Sequence, residues 1–174
     1  FNMNKIVIII NGRGGVGKDT LCDFAAKHYK VENISSITPI KDLAKLCGWG
    51  GEKNEKSRKF LSDLKQLLID YNEYPTQYLM EKYHEFLDND KEIMFVHIRE
   101  CQEIDKFKTL IQIPCVTLLV ERVNGTLVQW GNTSDDEVGN YRYDYVFDNN
   151  GPLKTAEDKF VKFLEGVLLE HLTC

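Results

Sequence analysis

The sequence predicts a three-layer α/β/α sandwich around a mainly parallel sheet. Short β-branched or apolar runs, IVIII after Lys5, MFVHI before Arg99 and VTLLV from Val116, alternate with segments of helical periodicity. The first run shows no polar alternation, which is the pattern of a strand buried on both faces. It leads directly into a glycine-rich loop and a helix, the order expected of a right-handed parallel crossover.

Taken in order, Lys5 to Asn11 reads as the first strand, bounded by Gly12. Leu21, Phe24, Ala25 and His28 then fall at i, i+3, i+4 and i+7, one face of an amphipathic helix. Val31 to Thr38 is a second strand, and Pro39 opens a short helix, PIKDLAKL, stopped by GWGG. In EKSRKFLSDLKQLLIDY, Leu61, Leu64, Leu68 and Tyr71 line the expected core side, with Arg58, Ser62 and Lys65 on another. Pro75 breaks that helix, and Gln77 to Leu87 reads as the next. Glu92 to Arg99 is a strand, Glu103 to Ile111 a helix and Val116 to Val120 a strand. Asn124-Gly125 suits a hairpin turn, and Ser134 to Glu137 has capping-box spacing for a short helix. Tyr143 to Phe147 is the last strand. Phe160, Phe163, Leu164, Val167, Leu168 and His171 draw the apolar stripe of a final helix.

With 174 residues, 43% hydrophobic and 28% charged, the chain suits one folded domain, expected over residues 3–174. Its net charge of -5 supplies no positive field for long nucleic acid or an anionic membrane surface. The five cysteines, Cys22, Cys47, Cys101, Cys115 and Cys174, are odd in number and contain no C-x-x-C pair, which argues against a disulfide framework or zinc site. No apolar run approaches the roughly 20 residues of a membrane span. A soluble cytoplasmic protein of undetermined oligomeric state is expected. Phe1 and Asn2 read as an expression remnant ahead of a natural start at Met3.

The chemistry concentrates in NGRGGVGKDT. Gly12-x-x-x-x-Gly17-Lys18 has the spacing of a phosphate-binding loop, in which glycine conformations turn successive N–H groups toward one anion and the next helix adds its positive end. Gly12, Arg13, Gly14, Gly15, Val16, Gly17, Lys18, Asp19 and Thr20 are therefore the candidate residues for binding the phosphates of a nucleoside triphosphate. A tight β-to-α turn is the plainer account of the glycines. Asp19 stands where such loops usually place the hydroxyl that binds Mg²⁺, and Thr20 follows one position later. Asp19 and Thr20 are the candidate metal residues, although a carboxylate in the first turn of a helix also explains Asp19.

This loop resembles that of the nucleoside monophosphate kinase branch of P-loop proteins. GKDT is similar to the deoxynucleoside monophosphate kinases of phages and their bacterial relatives, with animal-type phosphomevalonate kinase a related variant. TPIKDLAKLCG is similar to the proline-led helix of those kinases and puts Lys41 at the family's lysine. VHIRE matches Arg99 to the arginine of their strand end, and YDYVFDNNGPLKTAED is similar to an ending shared with dephospho-CoA kinase. The resemblance implies a nucleotide kinase-like P-loop fold, ATP and Mg²⁺ as cofactors, and a metal held largely through water. It also implies an acceptor-binding helical region over about 39–88 and a lid-like segment over about 122–142. Two departures stand out. His97 stands where the family has its strand-end aspartate, and a neutral imidazole is a poor ligand for a hard cation; a core or edge histidine is the plainer reading, with Glu100 or Asp19 left to compensate at the metal. Between Arg122 and Arg142 the lid carries no other Lys or Arg.

Phosphoryl transfer needs placement and charge neutralisation, for which Lys18, Arg99 and Arg122 are the candidate catalytic residues. No carboxylate at the ends of the early strands suits a base for a hydroxyl acceptor. A phosphate acceptor, with pKa₂ of about 6, needs none. The expectation is therefore a small phosphorylated acceptor, a (deoxy)nucleoside monophosphate, gripped by some of Lys41, Arg58 and Lys65. A phosphomevalonate-like or dephospho-CoA-like kinase and an ATP-binding regulator that has lost turnover are the alternatives. Asp135 and Asp136 suit a metal or a helix start. Tyr71, Tyr74, Tyr78 and Tyr83 suit base stacking or, more simply, core packing.

Overall fold

The computed structural model describes residues 4–122 and 137–172. Its strands are β1 (Ile6–Asn11), β2 (Val31–Ser35), β3 (Ile93–His97), β4 (Cys115–Glu121) and β5 (Tyr145–Asp148). All pair in parallel, in the spatial order β2-β3-β1-β4-β5. The helices are α1 (Lys18–Ala26), α2 (Thr38–Leu46), α3 (Glu55–Asn72), α4 (Tyr74–Asp88), α5 (Cys101–Leu110) and α6 (Leu153–Leu172), with a 3-10 turn at Val138–Asn140.

β1 is buried along its whole length because helices cover both faces of the sheet. Ile6, Ile8 and Ile10 pack toward Leu21 and Ala25 of α1 and Phe160, Leu164 and Val167 of α6. Val7 and Ile9, pointing the other way, pack toward Leu79, Tyr83 and Phe86 of α4 and Ile104 and Phe107 of α5. This is the expected three-layer sandwich. The edge strands β2 and β5 are only intermittently buried, as their positions dictate.

The order places β3 and β4 on opposite sides of β1, so the chain changes direction across the sheet there. Loops leaving the carboxyl ends of the strands part at such a point and open a crevice. The glycine-rich loop lies at that place, directly after Asn11.

Several boundaries shift for local reasons. β2 stops at Ser35 because α2 begins at Thr38, with Pro39 in its first turn. α4 begins at Tyr74 and accommodates Pro75 in the same way, after a left-handed Glu73 joins it to α3. α1 ends at Ala26, so His28 lies beyond it, exposed and bonded to Glu157, and not on the core face.

The larger correction concerns α3. Tyr71, expected on the core side, is 81% exposed, while Ser57, Lys65 and Ile69 are the buried residues of this helix. α3 packs on α2 and α4, not broadly on the sheet, and its inward direction is set by polar partners that an apolar stripe cannot reveal. The other tyrosines follow the packing reading in part: Tyr83 is buried, and Tyr74 and Tyr78 are half-buried. The Asn124-Gly125 turn, Asp135, Asp136 and most of the capping-box helix and lid-like segment lie outside the described residues.

Candidate functional site

Residues 12–17 turn from the carboxyl end of β1 into α1. Gly15 and Gly17 have φ of 84° and 90°, the left-handed region that strains any L side chain. Gly12 is demanded by space instead: a Cβ there would lie 2.7 Å from the Val120 carbonyl oxygen and 2.8 Å from Val16 Cγ2. Asn149 braces the loop from the end of β5, its Nδ2 donating to the Val16 carbonyl at 2.8 Å.

Lys18 opens α1, and its ammonium folds back over the loop to donate to the Gly12 carbonyl at 3.0 Å. The first helical bond runs from Leu21 N–H to Gly17 carbonyl, so the amides of Lys18, Asp19 and Thr20 form the open, positive end of the helix. A curled backbone, a helix N-terminus and an ammonium thus converge at one spot, a geometry suited to a chain of phosphates. These residues fit the triphosphate of ATP.

For a hard cation the donors at hand are oxygens. Asp19 and Thr20 are exposed in the first turn of α1, the Asp19 side chain by 89%. Among the described residues no group of three or more His, Cys, Asp or Glu could hold a metal by itself. A Mg²⁺ site built from one or two protein oxygens, with phosphate and water completing it, fits this donor set. His97 does not join it: its Nε2 donates to Asn33 Oδ1 at 2.7 Å and lies 3.8 Å from Cys22 Sγ. Burial, then the positive charge of Lys18, pushes the His97 pKa down to about 4, with Arg99 adding to the fall and Asp19 opposing it. The 4.0 Å approach of His97 to Asp19 is therefore not an ion pair at neutral pH. Glu100 does not stand ready for a metal either, because both its oxygens accept from Lys65, at 2.7 and 2.8 Å.

That pair relocates one expected acceptor residue. Lys65 is only 5% exposed, and its ammonium also donates to Ser36 Oγ at 2.8 Å. Lys65 therefore ties α3 to the carboxyl ends of β2 and β3. Glu100, the last residue of VHIRE, is a carboxylate just past a strand end, and the structure shows it already bound by a cation. Arg58 is half-buried near the start of α3 and Lys41 is exposed on α2. Arg99 is half-buried two residues past β3, with its carbonyl accepting from Asn11 Nδ2 at 3.2 Å. Arg122 is exposed immediately after β4, and Arg142 is exposed between the 3-10 turn and β5.

Sequence reasoning missed Asn11, Tyr143 and the Lys65–Glu100 pair. For Asn11 a signal existed: a polar side chain closing an otherwise apolar strand must find partners when buried.

No protein-family model matches the chain, and no curated protein matches it. Solved structures do. Dephospho-CoA kinase from Campylobacter jejuni aligns at 12% identity over 94% of this chain and 98% of its own, with a TM-score of 0.57. A protein of Thermus thermophilus aligns at 16% identity over 96% and 98%, with a TM-score of 0.52. Shikimate kinase from Bacteroides thetaiotaomicron aligns at 13% identity over 93% and 98%, with a TM-score of 0.50. At such identities the likeness speaks of architecture, and together with the loop, the strand order and the all-parallel sheet it shows that this chain has the P-loop, nucleotide kinase-like α/β fold.

Proposed function

We propose that this protein is an ATP-dependent kinase that phosphorylates a small phosphorylated acceptor, a (deoxy)nucleoside monophosphate. The observation that carries this reading is the Lys18 ammonium folded over a loop whose Gly15 and Gly17 are left-handed, at the switch point above β1. The presence of dephospho-CoA kinase among the structural neighbours supports phosphoryl transfer as the reaction class. In this reading the amides of residues 12–20 bind the triphosphate. Asp19 and Thr20 hold Mg²⁺, which when bound neutralises phosphate charge. Lys18, Arg99 and Arg122 face the charge that spreads over the moving phosphoryl group.

The acceptor lies toward α2 and α3, where Lys41 and Arg58 grip its phosphate and Lys65 acts through Glu100. The phosphate acceptor is favoured by the state of Glu100: with both oxygens bound by Lys65, it is poorly placed to deprotonate a hydroxyl. An ionised phosphate requires no such base.

The test has two stages. Mg·ATP should raise the melting temperature of the wild-type protein and not that of Lys18→Ala. ADP release measured against a panel of nucleoside monophosphates should then show turnover. A thermal shift that survives Lys18→Ala overturns the loop assignment, and a shift without turnover on any acceptor points to a regulator.

A further inference from the structure

We propose that Asn11 is a positioning residue that links the phosphate loop to the returning segment 138–143, so that nucleotide binding and the ordering of that segment are coupled. The inference rests on the loop being the ATP site. Asn11 is fully buried at the carboxyl end of β1. Its Oδ1 accepts the Gly12 N–H at 2.9 Å, which sets the direction in which the loop leaves the strand. Its Nδ2 donates to the Arg99 carbonyl at 3.2 Å and to the Tyr143 hydroxyl at 3.0 Å. Tyr143 passes the relay on, donating its own proton to the Val138 carbonyl at 2.7 Å.

One planar amide therefore fixes three stretches of chain: the loop start, the strand end bearing Arg99, and residues 138–143. The amide offers two N–H donors and one carbonyl oxygen, and all have partners here. Because the group is planar, it cannot turn to release one partner without disturbing the others. A phenol that accepts from Asn11 must send its proton onward, so the relay has one direction, and buried chains of this kind strengthen cooperatively.

An asparagine that merely ended its own strand would bond locally. The partners of the Asn11 Nδ2 instead stand 88 and 132 residues away in sequence. The same two regions also come close at Arg13, whose guanidinium lies 3.7 Å from where a Cβ of Gly139 would sit. One bond holds the segment itself to α5, from Tyr141 hydroxyl to Asp105 at 2.7 Å, and Cys101 Sγ donates at 3.5 Å to the carbonyl of Glu137 just before it. A loop that tightens around phosphates would transmit its position through Asn11 and Tyr143 to this segment.

The test is hydrogen–deuterium exchange on the full chain, with and without a magnesium complex of a non-hydrolysable ATP analogue. It compares wild type, Asn11→Asp, Tyr143→Phe and Lys18→Ala. Asn11→Asp keeps an acceptor for Gly12 N–H but removes the amide donors, and Tyr143→Phe removes the hydroxyl alone. In wild type the analogue should slow exchange both in residues 12–20 and in residues 138–143. In Asn11→Asp and Tyr143→Phe, loop protection should persist with affinity weakened about tenfold, while the nucleotide-dependent protection of 138–143 disappears.

Lys18→Ala should lose both effects. Wild-type protection of the loop without protection of 138–143 overturns the coupling and leaves the ATP site standing. So does full protection of 138–143 in Tyr143→Phe, the variant that carries the test if Asn11→Asp fails to fold. No protection of the loop in wild type overturns both.

Discussion

Replacing Lys65 with alanine should damage the fold before it touches the acceptor. The Lys65 ammonium is buried and makes three contacts, to both Glu100 oxygens at 2.7 and 2.8 Å and to Ser36 Oγ at 2.8 Å. Removing one partner of a buried pair leaves the other charge uncompensated, at a cost of about 3–5 kcal/mol. The Glu100 side chain retains 22% exposure and can recruit water, so the lower end applies. For a chain of this size that is a fall in Tm of roughly 10 °C. Urea denaturation of Lys65→Ala, Glu100→Gln and Lys65→Met/Glu100→Gln measures it. The double variant should recover most of the loss, since neither a buried cation nor a carboxylate remains to be compensated. A loss in Lys65→Ala below about 1 kcal/mol, the level of an exposed pair, would refute the structural role. If acceptor KM rose sharply at that undiminished stability, Lys65 would instead be a direct ligand, as its residue type first suggested.

Four other substitutions have defined outcomes. Gly12→Ala must displace backbone, because Val120 O stands 2.7 Å from the new Cβ; a loss of about 1–3 kcal/mol and of the Mg·ATP thermal shift is expected. Gly15→Ala meets open space and should cost about 1–2 kcal/mol for its φ alone, so a Gly15→Ala loss clearly above that, or one larger than that of Gly12→Ala, would contradict the loop geometry. His97 titrates at about 4 when folded against 6.5 in its ordinary state, so the unfolded chain binds the extra proton between those values. Its contribution to stability is complete above pH 6.5 and is lost as pH falls through 4, amounting to about 3 kcal/mol. His97→Gln should flatten the stability-against-pH curve in that window, and an unchanged slope would show that His97 does not titrate there. Arg58→Ala should raise acceptor KM by about tenfold or more while ATP binding persists. Lost ATP binding would contradict the assignment of α3 to the acceptor side.

What the sequence determined by itself is the part governed by local chemistry. The unbroken IVIII run can only be satisfied inside a sheet, and the glycine spacing before Lys18 writes a phosphate-loop geometry into neighbouring residues, so strand, loop and helix were legible in order. Pro39 likewise marked the start of α2, whereas Pro75, read as the break after the preceding helix, lies in the first turn of α4. The tertiary structure alone decided which charges face inward. Lys65 and Arg58 are residues of the same kind seven positions apart on one helix. Glu100, brought up from the end of β3, is what makes one of them a buried tie. The sequence leaves His97 between a core or edge histidine and a departure from a metal site until Asn33 and Cys22 stand against it, and it reads Asn11 only as the end of the first strand until Arg99 and Tyr143 arrive from distant sequence. The physical reason is the range of the forces. Backbone conformation and apolar periodicity act over a few residues, whereas the fate of a polar group depends on whichever partner the fold carries to within hydrogen-bond reach, and no local pattern records that.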